Sequence, residues 1–592
     1  MTDAPDQRWQ RLRPVLAIAA VAFAIGAIVG AHRGTSPSSA LAARFVAAWT
    51  QRDYRAMYGD LDPGSQREIS PTGFTTVYAR ALRTATADRL KVRGRPRALA
   101  GGAVEVPVTV DTRLFGALSL DFVIPLVHAG EDGPRVLWSR SLAFPGLHPG
   151  ELLARRTTLP RRAAVLARDG SVLAEPVPGE ASGGPAVEVT RGSPLGEAAR
   201  PLLGTVGPIP SSRLAALEAE GVPPQAIVGL SGLERVLDER LRGVPGGELL
   251  AGTRVLASAR SRPSPPVRTT ISPSLQNAAV AALGGQLGGI VALQPASGQI
   301  LAVAGIGLDG LQPPGSTFKI VTLTGVLQAK LATPQTVFPY ATHATLDGVT
   351  LDNANGEECG GSLELAFAVS CNSVFTPLGV RLGASRLVAM AEAFGFNHDA
   401  GLAGAPQSTL PAASEIHGEL DLGSTAIGQG RVLATPLQMA IVAATVADGG
   451  RRPVPRFLPA DAPVAVGRVA SAAVARTVRR LMTGVVRSGT GRAAAIPGVV
   501  VAGKTGTAEL KSACPPSTTR PAAGERSERG PREGCAAGES QASNTDAWFA
   551  AFAPAIHPRI AVCVLLVKDG AGGDTAAPVA RQVLEAGLAA LR

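Results

Sequence analysis

The sequence predicts a multidomain α+β protein behind an N-terminal transmembrane helix, and three observations predict it. The chain has 592 residues, more than one hydrophobic core serves, so about three or four domains are expected. An uncharged apolar run near the start is long enough to cross a bilayer. Beyond that run, polar and Pro-rich joints separate stretches of different hydrophobic period: helix then strands, a mixed middle, and a long alternation of helices and strands.

The apolar run is Pro14 to Ala31, with Val15, Leu16, Ile18, Val21, Phe23, Ile25, Ile28 and Val29 set among Ala and Gly. Arg8, Arg11 and Arg13 precede it and His32 and Arg33 follow. The Arg excess in front keeps residues 1–13 in the cytoplasm as a tail and sends everything after the 14–31 helix outside. A cleaved signal peptide is the competing reading. Against it, the run exceeds a usual signal h-region and no clear A-x-A site with a polar break follows.

Residues 36–148 read as a small α+β domain. Ala40 to Tyr58 carries Leu41, Phe45, Trp49, Tyr54 and Tyr58 at roughly helical spacing, a core face. Ala103 to Val110 and Leu118 to Val127 then alternate like strands. Residues 150–260 are mixed: Asp169-Gly170 is a hairpin turn signal between two apolar strands, and GLERVLDERLRGVPG (Gly232 to Gly246) reads as an amphipathic helix stopped by Gly and Pro. RSRPSPPV is a Pro-rich linker. The last region, 269–592, opens with Ser272-Pro273 as the start of a helix running to about Leu283. GIVAL and QILAV follow as strands joined by PASG.

Composition removes several function classes. Hydrophobic residues make up 45% and charged residues 17%, as in a folded protein. The net charge is +11, but the Arg residues are scattered and aromatics are only 4%. With no dense basic block interleaved with aromatics, nucleic acid is not an expected partner. No phosphate-binding glycine loop or nucleotide fingerprint occurs, and no cofactor is expected. None of the five cysteines stands in a CxxC or Cys/His metal spacing. Cys514 and Cys535 end one polar segment, where a bridge would close a loop of about 20 residues for roughly 3 kcal/mol in the chain-entropy account; two free thiols in a flexible loop is the alternative. The odd count leaves at least one thiol unpaired. The segment Lys511 to Ser543 reads as a long exposed excursion between strands.

Three short motifs carry chemistry: Ser316-Thr317-Phe318-Lys319, Ser370-Cys371-Asn372 and Lys504-Thr505-Gly506-Thr507. A serine hydroxyl needs a base within hydrogen-bond reach. Positions i and i+3 share a helix face, so Ser316 and Lys319 would point into one cleft. Gly315 lets the backbone turn beneath the serine, and a helix N-terminus offers free N–H groups to an oxyanion. A lysine acts as base only if its pKa falls, through desolvation or a second positive charge such as Lys504. A lone S-x-x-K is weak, since a chain this long holds on the order of one by chance. The three in this order are the element set of penicillin-binding proteins and serine β-lactamases.

The chain therefore resembles a class B penicillin-binding protein. Ser370 to Phe375 (SCNSVF), Ala426 to Ala440 (AIGQGRVLATPLQMA) and Asp546 to Pro554 (DAWFAAFAP) extend the resemblance from about Thr269 to the C-terminus. Residues 150–174 and 232–246 resemble that family's pedestal, or dimerisation, region, with Arg162-Ala163 where the family often has Arg-Gly. Ala40 to Leu147 resembles the cone-like α+β domain of methicillin-resistance-type members, on FVAAWTQRDYRAMY. The resemblance implies a C-terminal serine β-lactamase/transpeptidase-like domain, an antiparallel sheet with helices. It implies that Ser316 attacks the penultimate D-Ala carbonyl of a peptidoglycan stem peptide and is trapped by β-lactams. Lys319 would be the base, Ser370 the relay near Lys504, and Asn372 a holder of the substrate amide. Lys504, Thr505, Gly506 and Thr507 would form the carboxylate-binding strand, with the oxyanion on the N–H groups of Ser316 and Thr507. A carboxypeptidase side activity goes with such a site. Other implied partners are a separate glycosyltransferase and further wall-synthesis membrane proteins. Two rivals stay open. A serine β-lactamase shares the fold, but class D enzymes, which S-T-F-K suits, end their second motif in Val where Asn372 stands. The other is a non-enzymatic membrane β-lactam sensor or an inactive scaffold; sensors usually carry more membrane helices.

Overall fold

A computed structural model describes residues 36–128, 133–175, 191–459, 465–510 and 544–591. Among these, no helix is long and apolar enough to cross a membrane; the run at 14–31 and the pair Cys514 and Cys535 lie outside the described residues. The described residues divide into two compact units, those within 1–160, 209–226 and 243–262, and those within 161–208, 227–242 and 263–592.

The first unit is α+β. Helix α1 (Pro37–Gln51) begins at a Ser36 cap and buries Leu41, Phe45 and Trp49. The helix expected to continue to Tyr58 instead breaks at Arg52, whose φ is 58°, and Asp53 caps a new short helix, Tyr54–Gly59. The Asp53 side chain takes the Ala56 N–H, offering the backbone an alternative to continuing the first helix. Helix α2 (Pro71–Thr84) follows a Ser70-Pro71 start. Strands β1 (Ala87–Val92), β2 (Val104–Thr112) and β3 (Gly116–Ile124) pair antiparallel around β2. In β2 every second residue from Val104 to Thr112 is buried, the half-buried alternation read from the sequence. Val104, Val106, Val108 and Val110 pack with Phe45, Trp49, Phe74 and Phe122 into one core. Three more strands, β4 (Leu153–Thr158), β5 (Gly246–Ala251) and β6 (Arg254–Ala259), form a separate antiparallel sheet with β5 central.

In the second unit the Asp169-Gly170 hairpin forms, joining Val165–Leu166 to Val172–Ala174. The expected helix over 232–246 is two short ones, Gly232–Val236 and Asp238–Arg242. Both serve a buried ionic cluster. Arg162 donates to Glu234 Oε2 at 2.6 Å and to Asp238 Oδ1 at 2.9 Å; Arg191 pairs with Glu234 Oε1 at 2.9 Å and Arg242 with Asp238 Oδ2 at 3.0 Å. Burial by itself would raise the Asp238 pKa, but the surrounding guanidinium groups and the Gly229 N–H hold it below the usual value. Removing one partner of a buried ion pair strands the others without water. Glu234→Ala, which leaves Arg162 and Arg191 facing each other, is therefore expected to cost about 3–5 kcal/mol. Urea midpoints of the variant and the parent chain measure the loss.

The rest of this unit is a five-stranded antiparallel sheet between two helical layers. Its strands are β7 (Gly288–Leu293), β8 (Ile300–Gly305), β9 (Ala502–Glu509), β10 (Thr545–Ala553) and β11 (Ile560–Leu566), in the order β8-β7-β11-β10-β9. The central strands are continuous apolar runs because both faces are covered. On β11, Ile560, Val562 and Val564 enter one core while Ala561, Cys563 and Leu565 enter the other. Helices α3 (Pro273–Leu283) and α9 (Ala576–Ala590) cover the first face. On the second, α7 (Pro436–Ala447) is buried at all twelve positions, as an all-round apolar helix must be. That layer also holds α4 (Lys319–Gln328), α5 (Leu363–Ala368), α6 (Asn372–Leu382) and α8 (Ala472–Ser488). The K-T-G-T residues lie on β9, an edge strand.

Candidate active site

Ser316 sits on a single 3-10 turn, Gly315–Phe318, that runs straight into α4. In such a turn side chains at i and i+3 eclipse, so Ser316 and Lys319 share a face even before the α-helix begins. The turn is wedged between two neighbours, which is why small residues surround it. Gly315 has φ 50°, and a Cβ there would lie 2.7 Å from the Thr507 carbonyl oxygen. Its N–H donates to Gly428 O at 2.9 Å. Gly428, with φ 74°, approaches so closely that a Cβ on it would collide with the Gly315 carbonyl. The AIGQG segment thus braces the serine turn from behind, and β9 flanks it.

The second motif is placed by the end of α5. Ser370 N–H donates to Phe367 O and Cys371 N–H to Ala366 O, at 3.2 and 2.8 Å. This paired closure needs a left-handed residue at the position Ser370 occupies, usually glycine; Ser370 has φ 63°. A non-glycine residue in that region costs about 1–3 kcal/mol and persists where its surroundings over-determine it. α6 then starts at Asn372. The result aims both motif side chains at Lys319. Its Nζ donates to Ser370 O at 2.7 Å and Asn372 Oδ1 at 2.6 Å, and lies 3.4 Å from Ser370 Oγ. Asn372 Nδ2 donates to Asp352 O at 2.8 Å.

From β9, Lys504 Nζ donates to Ser370 Oγ at 2.8 Å and to Thr505 O at 3.0 Å. Thr505 Oγ1 lies 2.6 Å from the hydroxyl of Thr490, and Thr507 Oγ1 accepts the Gly572 N–H at 3.4 Å. Both lysines are fully buried. Their ammonium nitrogens rest 5.5 and 5.6 Å from the rings of Phe375 and Phe367, which are themselves in contact. Burial, with the nearby Lys504 charge, holds Lys319 well below the ordinary lysine pKa. Burial brings Lys504 down to about 7. A neutral Lys319 has two N–H donors, and two carbonyl-type oxygens, Ser370 O and Asn372 Oδ1, occupy them. Its lone pair is left for a hydroxyl proton.

The structure gathers all three motifs, with one difference in detail. The expectation is a Ser316 hydroxyl within hydrogen-bond reach of Lys319, with Lys504 as a second positive charge nearby; in the structure the two lysines meet at Ser370 Oγ. Ser316 is half-buried, and its hydroxyl makes no hydrogen bond among the described residues. The reason lies in the donors of Lys319, which point at the S-x-N oxygens. The bond from a nucleophile to its base often tightens only when substrate is bound. Sequence reading missed Thr490, Asn353 and the partner of Cys371. Cys371 is bridged to Cys359, with Cα atoms 5.8 Å apart, and Cys563 is a buried free thiol on β11. Among the described residues no three His, Cys, Asp or Glu side chains group as a metal site requires.

A half-buried serine, a depressed lysine three residues on and a lysine-bearing edge strand are the parts of a serine acyl-transfer site on an antiparallel sheet. Known proteins agree. Residues 288–585 match the family described as Penicillin binding protein transpeptidase domain, and residues 185–255 match the Penicillin-binding Protein dimerisation domain. The peptidoglycan D,D-transpeptidase PbpA of Mycolicibacterium smegmatis is 33% identical over 426 residues, 60% of this chain and 79% of that one. PbpA of Mycobacterium tuberculosis is 34% identical over 389 residues, 54% of this chain and 72% of its own. The solved penicillin G acyl-enzyme complex of M. tuberculosis penicillin-binding protein A superimposes with a TM-score of 0.54 at 28% identity, over 72% of this chain and 99% of that one. The D,D-transpeptidase domain of an Eggerthella lenta peptidoglycan glycosyltransferase gives 0.55 at 28% identity, over 72% and 98%. This chain belongs to the penicillin-binding protein transpeptidase family.

Proposed function

We propose that this protein is a peptidoglycan D,D-transpeptidase that works through an acyl-enzyme at Ser316. One observation carries the reading: two fully buried lysines of opposite motifs converge on one hydroxyl, Ser370 Oγ, beside the serine turn. In the first half-reaction the Ser316 Oγ–H proton passes to the lone pair of Lys319 as Oγ bonds to the penultimate D-Ala carbonyl carbon. The oxyanion rests on the N–H groups of Ser316 and Thr507. When the intermediate collapses, the C–N bond breaks and the terminal D-Ala nitrogen takes a proton through Ser370, which stands between the two ammonium groups. Asn372 orients both Lys319 and the substrate amide. Lys504, Thr505 and Thr507 receive the terminal carboxylate, whose charge favours the protonated form of Lys504. The amine of a second stem peptide then takes the acyl group; water in its place gives carboxypeptidase activity. A β-lactam amide opened by the same attack keeps its amine tethered, so the acyl-enzyme persists.

The domain plan goes with this reading. Residues 1–13 form a cytoplasmic tail, 14–31 a single membrane helix, 36–148 a cone-like domain, 150–260 the pedestal and 269–592 the catalytic domain, which the anchor holds outside the cytoplasmic membrane. A separate glycosyltransferase supplies the glycan strands, and co-purification with the full chain tests it. The central test is fluorescent penicillin followed by peptide mass spectrometry. A stoichiometric, slowly released adduct on Ser316 is expected. An adduct on another residue refutes the assignment, and rapid turnover of the drug makes the protein a β-lactamase.

A further inference from the structure

The middle residue of the second motif is not a spacer. Cys371 lies between Ser370 and Asn372, the two residues whose oxygens hold Lys319, and it is 1% exposed. Its sulfur is bonded to Cys359, the first residue of the strand Cys359–Ser362, which runs antiparallel to Val337–Ala341. A second fastening lies alongside. The buried Asn353 side chain donates to Ala341 O at 2.7 Å and Glu357 O at 2.9 Å, and its Oδ1 accepts the Ser373 N–H at 2.8 Å. The neighbouring Asp352 carbonyl takes the Asn372 amide. The S-C-N-S segment is thus fixed by a covalent bond and by two amide contacts, one through Ser373 and one through Asn372, to residues whose own backbone Asn353 ties together.

That fixing has a purpose, because Ser370 is held at φ 63° without being glycine. A strained residue relaxes unless its neighbours prevent it. A shift of the segment by about 1 Å is enough to lengthen the contacts to Lys319 and misplace a proton relay. We propose that the Cys359–Cys371 disulfide is a positioning element for catalysis, a brace that holds Ser370 and Asn372 against Lys319, so that the oxidised enzyme acylates quickly and the enzyme without the bridge acylates slowly. The proposal rests on the acyl-enzyme reading above. It gives the protein a dependence on the redox state of its compartment: reduction by a dithiol would leave two cysteine thiols and a cyclic disulfide of the reductant, and would slow the enzyme without unfolding it.

The test uses the full chain with C359A/C371A, measuring the rate constant of penicillin acylation, the drug concentration giving half that rate, the pH profile and the melting temperature. The rate constant is expected to fall about tenfold or more, with the half-saturating concentration little changed and the pH profile displaced, since Lys319 loses its oriented acceptors. A lower melting temperature with unchanged rate constant and pH profile would make the bridge a fold staple and overturn the proposal. Should the double variant not fold, the parent chain treated with dithiothreitol is compared before and after, with the two released thiols counted by alkylation; unchanged acylation in a chain with both thiols released, or a bridge that no dithiol opens short of unfolding, overturns it equally. Labelling of a residue other than Ser316 in the parent chain would instead sink the acyl-enzyme reading and is seen in the same mass spectra.

Discussion

Ser316→Ala is expected to abolish covalent capture of penicillin and to lower transpeptidation by a factor on the order of 10⁶, the scale seen when a catalytic serine is removed. The variant is a clean one. The Ser316 hydroxyl makes no hydrogen bond among the described residues, so its loss leaves no buried partner unsatisfied. The bonds from Lys319 to Ser370 and Asn372, and from Lys504 to Ser370, do not involve it. The melting temperature is therefore expected to stay within about a degree or two of the parent, the range of a substitution worth less than about 0.5 kcal/mol in a large domain. Reversible binding of penicillin persists, because the carboxylate still meets Lys504 and the two threonines. Intact-protein mass spectrometry separates the cases: no added mass in the variant supports Ser316 as nucleophile. A stable adduct that survives the substitution transfers that role to another hydroxyl, Ser370 first.

Much of this site was legible because its parts are local. The 3-10 turn at Ser316 and the helix that Lys319 opens need only a three-residue spacing. The central strands announce themselves as apolar runs, since burial on both faces removes the polar alternation. The Ser272-Pro273 start and the end near Leu283 bound α3 as expected, and a left-handed Gly284 closes it. What stayed hidden depends on distant pieces meeting. Cys359 and Cys371 are neighbours because the strand at Cys359 returns alongside Val337–Ala341; with five cysteines no spacing rule selects that pair. Thr490 reaches Thr505 from the loop after α8, with no motif to flag it. The ionic cluster draws Arg162, Arg191, Glu234 and Asp238 from separate segments. The left-handed Ser370 was invisible for a different reason: the position calls for glycine, and a serine stands there instead. The break at Arg52 was readable in principle, since Asp53 is a good N-cap, but the aromatic spacing on either side hid it.

Lys319→Ala is expected to lower the acylation rate constant by about 10³, within the range that a positioned general base supplies, and its effect on pH dependence is more telling than its size. The base must be neutral to accept the Ser316 proton. Lys319 is held well below the ordinary lysine value, by burial first and then by the charge of Lys504; acylation in the parent chain therefore rises with pH as Lys319 sheds its proton. Lys504 must keep its proton to hold the carboxylate. Burial alone brings it to about 7, so the rate falls again as pH climbs through that region, somewhat higher once a carboxylate is bound. The profile is a bell whose two limbs belong to the coupled pair rather than to either residue. Two variants then move the limbs in opposite ways. Lys319→Ala removes the rising limb and leaves a slow rate that only declines with pH. Lys504→Ala removes the falling limb, and because it also takes away a positive neighbour, the pKa of Lys319 goes up and the rising limb shifts to higher pH. Stopped-flow acylation from about pH 5 to 10, the span in which shifted lysines titrate, tests both. A rising limb that survives in Lys319→Ala and vanishes in Lys504→Ala would exchange their roles, making Lys504 the base and Lys319 the charge that depresses it.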